Sequence, residues 1–156
     1  MSVTIAEKLA SLGHKLPVAS APVANYVSVV RAGNLLSISG QISRINDDNA
    51  VLGVVGAAVS PEEGRKAAEI AAINVLSQIA AATDGTIAAI RRIVRLGVFM
   101  AATPDFTEHP QVANGASDLM VAVFGDVGRH SRAAVGVSSL PRGVAVEVDA
   151  LVELED

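Results

Sequence analysis

The chain contains no cysteine. That absence excludes disulfides, thiolate nucleophiles and cysteine-ligated metals together. Histidine is scarce as well. His14, His109 and His130 stand far apart with no ligand spacing, so no metal site and no cofactor is expected. The aromatics are Tyr26, Phe99, Phe106 and Phe124 alone, the net charge is −4, and no basic cluster exceeds Arg91, Arg92 and Arg95. Nucleic-acid binding rests on a cationic track and on rings that stack bases, so a nucleic-acid partner is not expected. No apolar run approaches the roughly 20 residues of a membrane helix. The longest candidate, 70–83, is broken by Asn74, Ser77 and Gln78. The first helix-like stretch carries Glu7 and Lys8 rather than a basic region followed by an apolar one, so a cytoplasmic location is expected.

What is present is a large apolar fraction, 51% of 156 residues, drawn almost entirely from Ala, Val, Ile and Leu. The length suits one domain over 1–156. Small and β-branched residues favour strands and flat, close layers. The mean hydropathy is positive at +0.45. Without a membrane span, this hints at apolar surface buried between subunits.

Ile5, Leu9 and Leu12 recur at helical spacing, which predicts a helix over 3–12 stopped by Gly13. Residues 15–22, with Pro17 and Pro22, read as an extended connector. Strands are predicted over 26–31 and 35–39, joined by a turn at Ala32-Gly33-Asn34. Asn46-Asp47-Asp48-Asn49 is a polar turn, and 50–55 a further short strand. Ser60-Pro61-Glu62-Glu63 combines a capping serine, a first-turn proline and a glutamate that can bond back. The helix it opens runs to about Ala82, with Ala67, Ile70, Ile73, Leu76 and Ala80 as its apolar stripe. A helical turn over 86–90 precedes a strand at 92–101, apolar on both faces near its end and so expected to be central and covered on both sides. A second helix spans 112–124, weakened by Gly115.

Two strands close the chain, 132–138 and 144–154, connected through Leu140-Pro141-Arg142-Gly143. In the last, Val144, Val146, Val148, Ala150 and Val152 share one face; Ala145, Glu147, Asp149, Leu151 and Glu153 share the other. This order predicts an α+β layer: a mixed sheet with helices on one face. The other face is then wet or covered by another subunit.

Arg132 and Glu147 each interrupt an apolar strand. Alternation sets Arg132 beside Ala134 and Gly136, whose small size leaves space for a guanidinium to fork onto a carboxylate. Arg132 reads equally as a strand-end arginine reaching water, and Glu147 as a solvated or ion-paired residue. No serine has a histidine and a carboxylate in a recognisable arrangement, and His130-Ser131 is only an adjacency. The glycines form no phosphate-binding motif.

Several segments resemble a known family. Ser37-Ile38-Ser39-Gly40-Gln41-Ile42 is similar to the early "SGQ" signature of the Rid (YjgF-like, "endoribonuclease L-PSP") family. Ser131 through Val137, then Leu140-Pro141 and Val146-Glu147-Val148, resembles its C-terminal signature, with Arg, Val, Val, Leu-Pro and Glu at the expected spacing. Asp105-Phe106 with Val112-Ala113-Asn114 resembles a looser block, and Tyr26 the family's pocket tyrosine. The resemblance spans about 20–154, and the N-terminal helix suits the longer members of the superfamily.

The resemblance implies a chorismate-mutase-like homotrimer with pockets between subunits. It implies that Arg132 binds the carboxylate of a small imine or enamine derived from an amino acid. Glu147 then assists hydrolysis to a 2-oxo acid and ammonia, and Tyr26, Ser39, Gly40 and Asn114 line the pocket. Ala134 stands where the family usually carries cysteine, which leaves substrate and activity open. A non-catalytic trimer that holds a small carboxylate metabolite is the alternative. RNA cleavage, an old family label, finds no metal ligands, histidine pair or cationic track here.

Overall fold

The computed structural model describes residues 2–156. Helix α1 (Ile5–Ser11) is shorter than its apolar spacing predicts. A capping box fixes its start: the Glu7 amide donates to Thr4 Oγ1 at 3.1 Å and the Thr4 amide donates to Glu7 Oε2 at 2.8 Å. The Thr4 amide, and secondly the Thr4 hydroxyl donating to the same oxygen at 2.9 Å, hold the Glu7 carboxyl below its usual range. The connector that follows is tied to the body by side chains. Gln78 Nε2 donates to Ser20 O at 2.9 Å, and Ser39 Oγ donates to Val27 O at 2.8 Å.

Strands β1 (Val29–Ala32) and β2 (Leu35–Ile42) form the expected hairpin, with Gly33 in the left-handed region at φ 61°. The first strand begins three residues later than predicted, so Tyr26 lies in a bend before it. The polar turn is the tip of a two-stranded hairpin, β3 (Arg44–Ile45) and β4 (Asp48–Asn49). No strand covers 50–55. Val51 at φ 57° and Gly53 at φ 119° break the ladder, leaving bridges at Leu52 and Val55. Among the described residues, Asn46, Val51 and Arg142 are the non-glycine positions with left-handed backbone, a conformation costing roughly 1–3 kcal/mol away from asparagine and glycine.

Helix α2 (Pro61–Ala82) starts at the predicted cap, with Ser60 and Glu63 bonded reciprocally at 2.8 and 3.1 Å. Its buried face is wider than the predicted stripe. Ala68, Ala71, Ala72, Val75 and Ile79 are fully buried, whereas Ile73 and Ala80 are only partly so. The helix is flanked as well as underlain. Strand β5 (Ile90–Ala101), helix α3 (His109–Phe124), strand β6 (Ser131–Val137) and strand β7 (Val146–Leu154) complete the fold. Helix α3 starts three residues before its predicted first residue because Pro110 suits the first turn.

The sheet order is β1-β2-β7-β5-β6, antiparallel except for the parallel β5–β6 pair. This is the expected α+β layer with a mixed sheet. Helices α2 and α3 lie on one face. Beneath them Val146, Val148, Ala150, Val152 and Leu154 of β7 meet Leu96, Val98 and Met100 of β5, all buried. Strand β5 is internal, but the chain's own helices cover only one of its faces, against the two-sided cover expected. On the open face Phe99 is half-buried. Glu147, Asp149, Leu151 and Glu153 of β7 are half-exposed there too.

Gly115, which as a bare helix residue costs stability, has a structural reason. A methyl group there would collide with the Arg65 carbonyl of α2, so the glycine sets how closely α2 and α3 cross. Gly115→Ala should therefore destabilise the fold by about 1–3 kcal/mol through overpacking. At an open helix site the same change would gain about 1 kcal/mol. Denaturant unfolding decides the sign, and a stabilised variant would show that the helices do not cross here.

Candidate functional site

Two groups of predicted site residues emerge, at two places on the sheet. The first surrounds Glu147. A cavity between the connector, β2 and the Pro141–Gly143 turn is lined by Tyr26, Gly40, Gln41, Arg142 and Glu147. The chain reaches this shape through a β-bulge. Between Ile38 and Gln41 strand β2 spends one residue more than β7 does opposite it, at Ser39-Gly40. The bulge leaves Gly40 against Glu147, where any β-carbon would collide with Glu147 Oε1. Gly97 of β5 makes room for Asp149 in the same way, and Asp149 pairs with Arg95 at 3.7 Å. Burial, and secondly the charge of Asp149, push the Glu147 carboxyl above its usual range. Ser39 anchors the connector through Val27 O, so its hydroxyl positions Tyr26's segment rather than lining the cavity.

The second group surrounds Arg132. Its Nη1 donates to Asn114 Oδ1 at 2.8 Å and to Ser117 Oγ at 3.0 Å. Asn114 and Ser117 are three residues apart on α3 and so share its face. Ser117 Oγ is in turn 2.8 Å from His130 Nε2, and His130 Nδ1 is 2.7 Å from Gly128 O. With Nδ1 donating to that carbonyl, a neutral ring accepts the Ser117 proton at Nε2, which leaves the Ser117 oxygen free to accept from Arg132. The chain of bonds fixes one guanidinium nitrogen. Nε and Nη2 of Arg132 have no protein acceptor among the described residues. Ala134 lies on the same face as Arg132, partly buried against the core.

The two groups do not meet within one chain. Arg132 is in register with Leu96 and Ala150, on the helix-covered face; Glu147 is in register with Phe99, on the open face. Two strand spacings and three residues separate them, roughly 14 Å between α-carbons. The resemblance put Tyr26, Ser39, Gly40, Asn114, Arg132 and Glu147 in one pocket, with no division between two faces of the sheet. Sequence reading missed Ser117 and Arg142, and left His130 as an adjacency with Ser131. Ser131 instead donates to Val94 O at 3.1 Å, away from the histidine. The missed signal was the three-residue step from Asn114 to Ser117. Among the described residues no three His, Asp or Glu side chains converge as a metal site would need, and no helix is long and apolar enough to cross a membrane.

Comparison with known proteins places this geometry. Residues 6–154 match a family model described as "YjgF/chorismate_mutase-like, putative endoribonuclease". Protein TCP17 of Trypanosoma cruzi is 50% identical over 153 residues, covering 97% of this chain and 95% of that protein. The crystal structure of Atu1372 from Agrobacterium tumefaciens, of unknown function, is 46% identical, with a TM-score of 0.91 over 97% of this chain and 92% of that one. E. coli TdcF, solved with bound serine, shares the fold at 20% identity and a TM-score of 0.62, over 86% and 92% of the two chains.

The bonds to Arg132 revise what its removal costs. For an exposed strand arginine the expected cost is about 1 kcal/mol or less. Here truncation leaves Asn114 Oδ1 without its donor in a part-buried site, while Ser117 Oγ keeps its bond to His130, so Arg132→Ala should cost about 1–3 kcal/mol. Ser117→Ala should cost about 1 kcal/mol. Denaturant unfolding of both variants measures this, and an Arg132→Ala cost near zero would mean that these bonds are not held in solution.

Proposed function

The chain belongs to the YjgF/chorismate-mutase-like family, and on that premise we propose that it hydrolyses small imines or enamines derived from amino acids, in a pocket shared between subunits of a homotrimer. The observation that carries the reading is the half-anchored guanidinium of Arg132. Asn114 and Ser117 hold Nη1, and the open Nε–Nη2 edge has the spacing of a carboxylate's two oxygens. Bound serine in the distantly similar TdcF is a ligand of that carboxylate-bearing class.

An imine needs little help beyond placement. Water adds to the imine carbon, the C–N bond breaks, and ammonia leaves a 2-oxo acid. Glu147 takes a proton from the water and gives it to the imine nitrogen, forming a carbinolamine, and then passes the hydroxyl proton to the amine as the C–N bond breaks. A carboxyl raised by burial is suited to both transfers. Arg132 aligns the substrate through its carboxylate and so supplies proximity. Tyr26, Ser39, Gly40 and Asn114 shape or support the pocket, and Ala134 leaves open the space that a cysteine side chain would fill.

Trimerisation supplies what one chain lacks. The β6 edge, with Val135 44% exposed, and the open sheet face form two different surfaces. A closed ring of heterologous contacts would set the Arg132 edge of one subunit against the Glu147 cavity of the next. Alanine at position 134 favours a second reading, in which the same pocket binds a carboxylate metabolite without turnover.

Arg132→Ala should weaken binding of 2-oxobutanoate roughly ten- to 150-fold, as expected for the loss of a charged hydrogen-bond pair. Calorimetry measures this, and light scattering should give three times 15.9 kDa. A mass near one chain, or unchanged affinity, removes the shared pocket. Glu147→Gln should keep binding and lose turnover. The wild-type rate should fall as pH drops through a Glu147 pKa that lies above the usual 4.5, since the base must be ionised to take a proton. If no imine is ever turned over, yet Ala134→Cys creates a clear rate, the natural protein is a binder.

A further inference from the structure

Resting on that reading, we infer that the Glu147 cavity accepts a second anionic group, so that the preferred ligand is a small dicarboxylate, the imine of an acidic amino acid. The cavity is lined by two arginines, Arg44 and Arg142, and by one acidic residue, Glu147. Arg132, the proposed anchor for the ligand's first carboxylate, is not among its lining residues. A monocarboxylate held by a neighbour's Arg132 therefore gives these two arginines nothing to bind.

Both arginines have unused capacity. Arg142 has no ion-pair partner among the described residues. Arg44 directs Nη2 to Asp47, at 3.1 Å from its carbonyl and 3.4 Å from Oδ1, but that aspartate is fully exposed and the pair is weak. Arg44 Nε is buried with no acceptor at all, and buried donors are rarely left so.

Backbone strain points to the same place. Of the two described residues other than glycine and asparagine with left-handed backbone, one, Arg142 at φ 58°, lines this cavity. Arg142 is not asparagine or glycine, so nothing in its own chemistry favours that conformation. Glycine there would relieve it. Strain of this kind persists where a side chain must be aimed, and Arg142 is a lining residue of the cavity.

Calorimetry with wild-type protein tests the assignment, using 2-oxobutanoate as the monocarboxylate and 2-oxoglutarate as the dicarboxylate. The dicarboxylate should bind roughly ten-fold tighter or more, the ratio a charged hydrogen bond confers. Arg142→Gly, which keeps the turn's backbone without strain, should bring the dicarboxylate's affinity down to that of the monocarboxylate, so that the ratio between them falls to about one. Equal affinities in the wild type overturn the inference alone. So does a preference that survives Arg142→Gly, or a variant that loses both ligands equally. Failure of the wild type to bind either compound overturns the shared-pocket reading along with it.

Discussion

A β-strand sends neighbouring side chains to opposite faces, and the layout of this molecule follows from that constraint acting on β6 and β7. In β7 the even-numbered residues from Val146 to Leu154 are buried on the helix-covered face, so the odd-numbered Glu147, Asp149 and Glu153 must look the other way. In β6 the register with Leu96 turns Arg132 toward the helices. No rotamer change can bring Arg132 and Glu147 to one small ligand within a chain. If both serve one site, that site has to be built between subunits.

The same constraint explains how each half is kept rigid. On the helix side Arg132 finds Asn114 and Ser117 one turn apart on α3, with His130 backing Ser117. Three polar groups satisfy one another in a part-buried setting, and the arginine is oriented before any ligand arrives. On the open side the carboxylates have no helix above them. Glycines make the room instead: Gly40 beneath Glu147 and Gly97 beneath Asp149. A carboxylate that replaces its neighbour's β-carbon is closely confined, and confinement with partial burial is what raises Glu147.

Much of this was legible in the sequence because it rests on local rules. The Ser60–Glu63 box fixed the start of α2, the alternation in 146–154 fixed its buried face, and Gly33-Asn34 fixed the first hairpin. The strand expected at 50–55 failed because Val51 adopts a left-handed conformation that valine's own preference opposes. The strand expected at 26–31 started late because Tyr26's segment answers to Ser39 and to its neighbours rather than to a strand partner. Residue type singled out Arg132 and Glu147, and the resemblance added Gly40 and Asn114. The site's division over two faces needed the β5 register, and its supporting cast needed the packing of α3. Arg142 escaped notice since a turn arginine carries no sequence signal for the direction its backbone imposes.

Subunit complementation tests the shared pocket most directly. Arg132→Ala removes the anchor from one half. Gly40→Val drives a branched side chain into the other half, against Glu147. Each variant alone should bind 2-oxobutanoate roughly ten-fold or more weakly than the wild type. Co-refolded in equal amounts into mixed rings, they should regain about one quarter of the wild-type sites, since random placement in a cyclic assembly sets an intact Arg132 beside an intact cavity at that frequency. Mixed rings that form but bind nothing would contradict the account, as would an Arg132→Ala variant that still binds normally on its own.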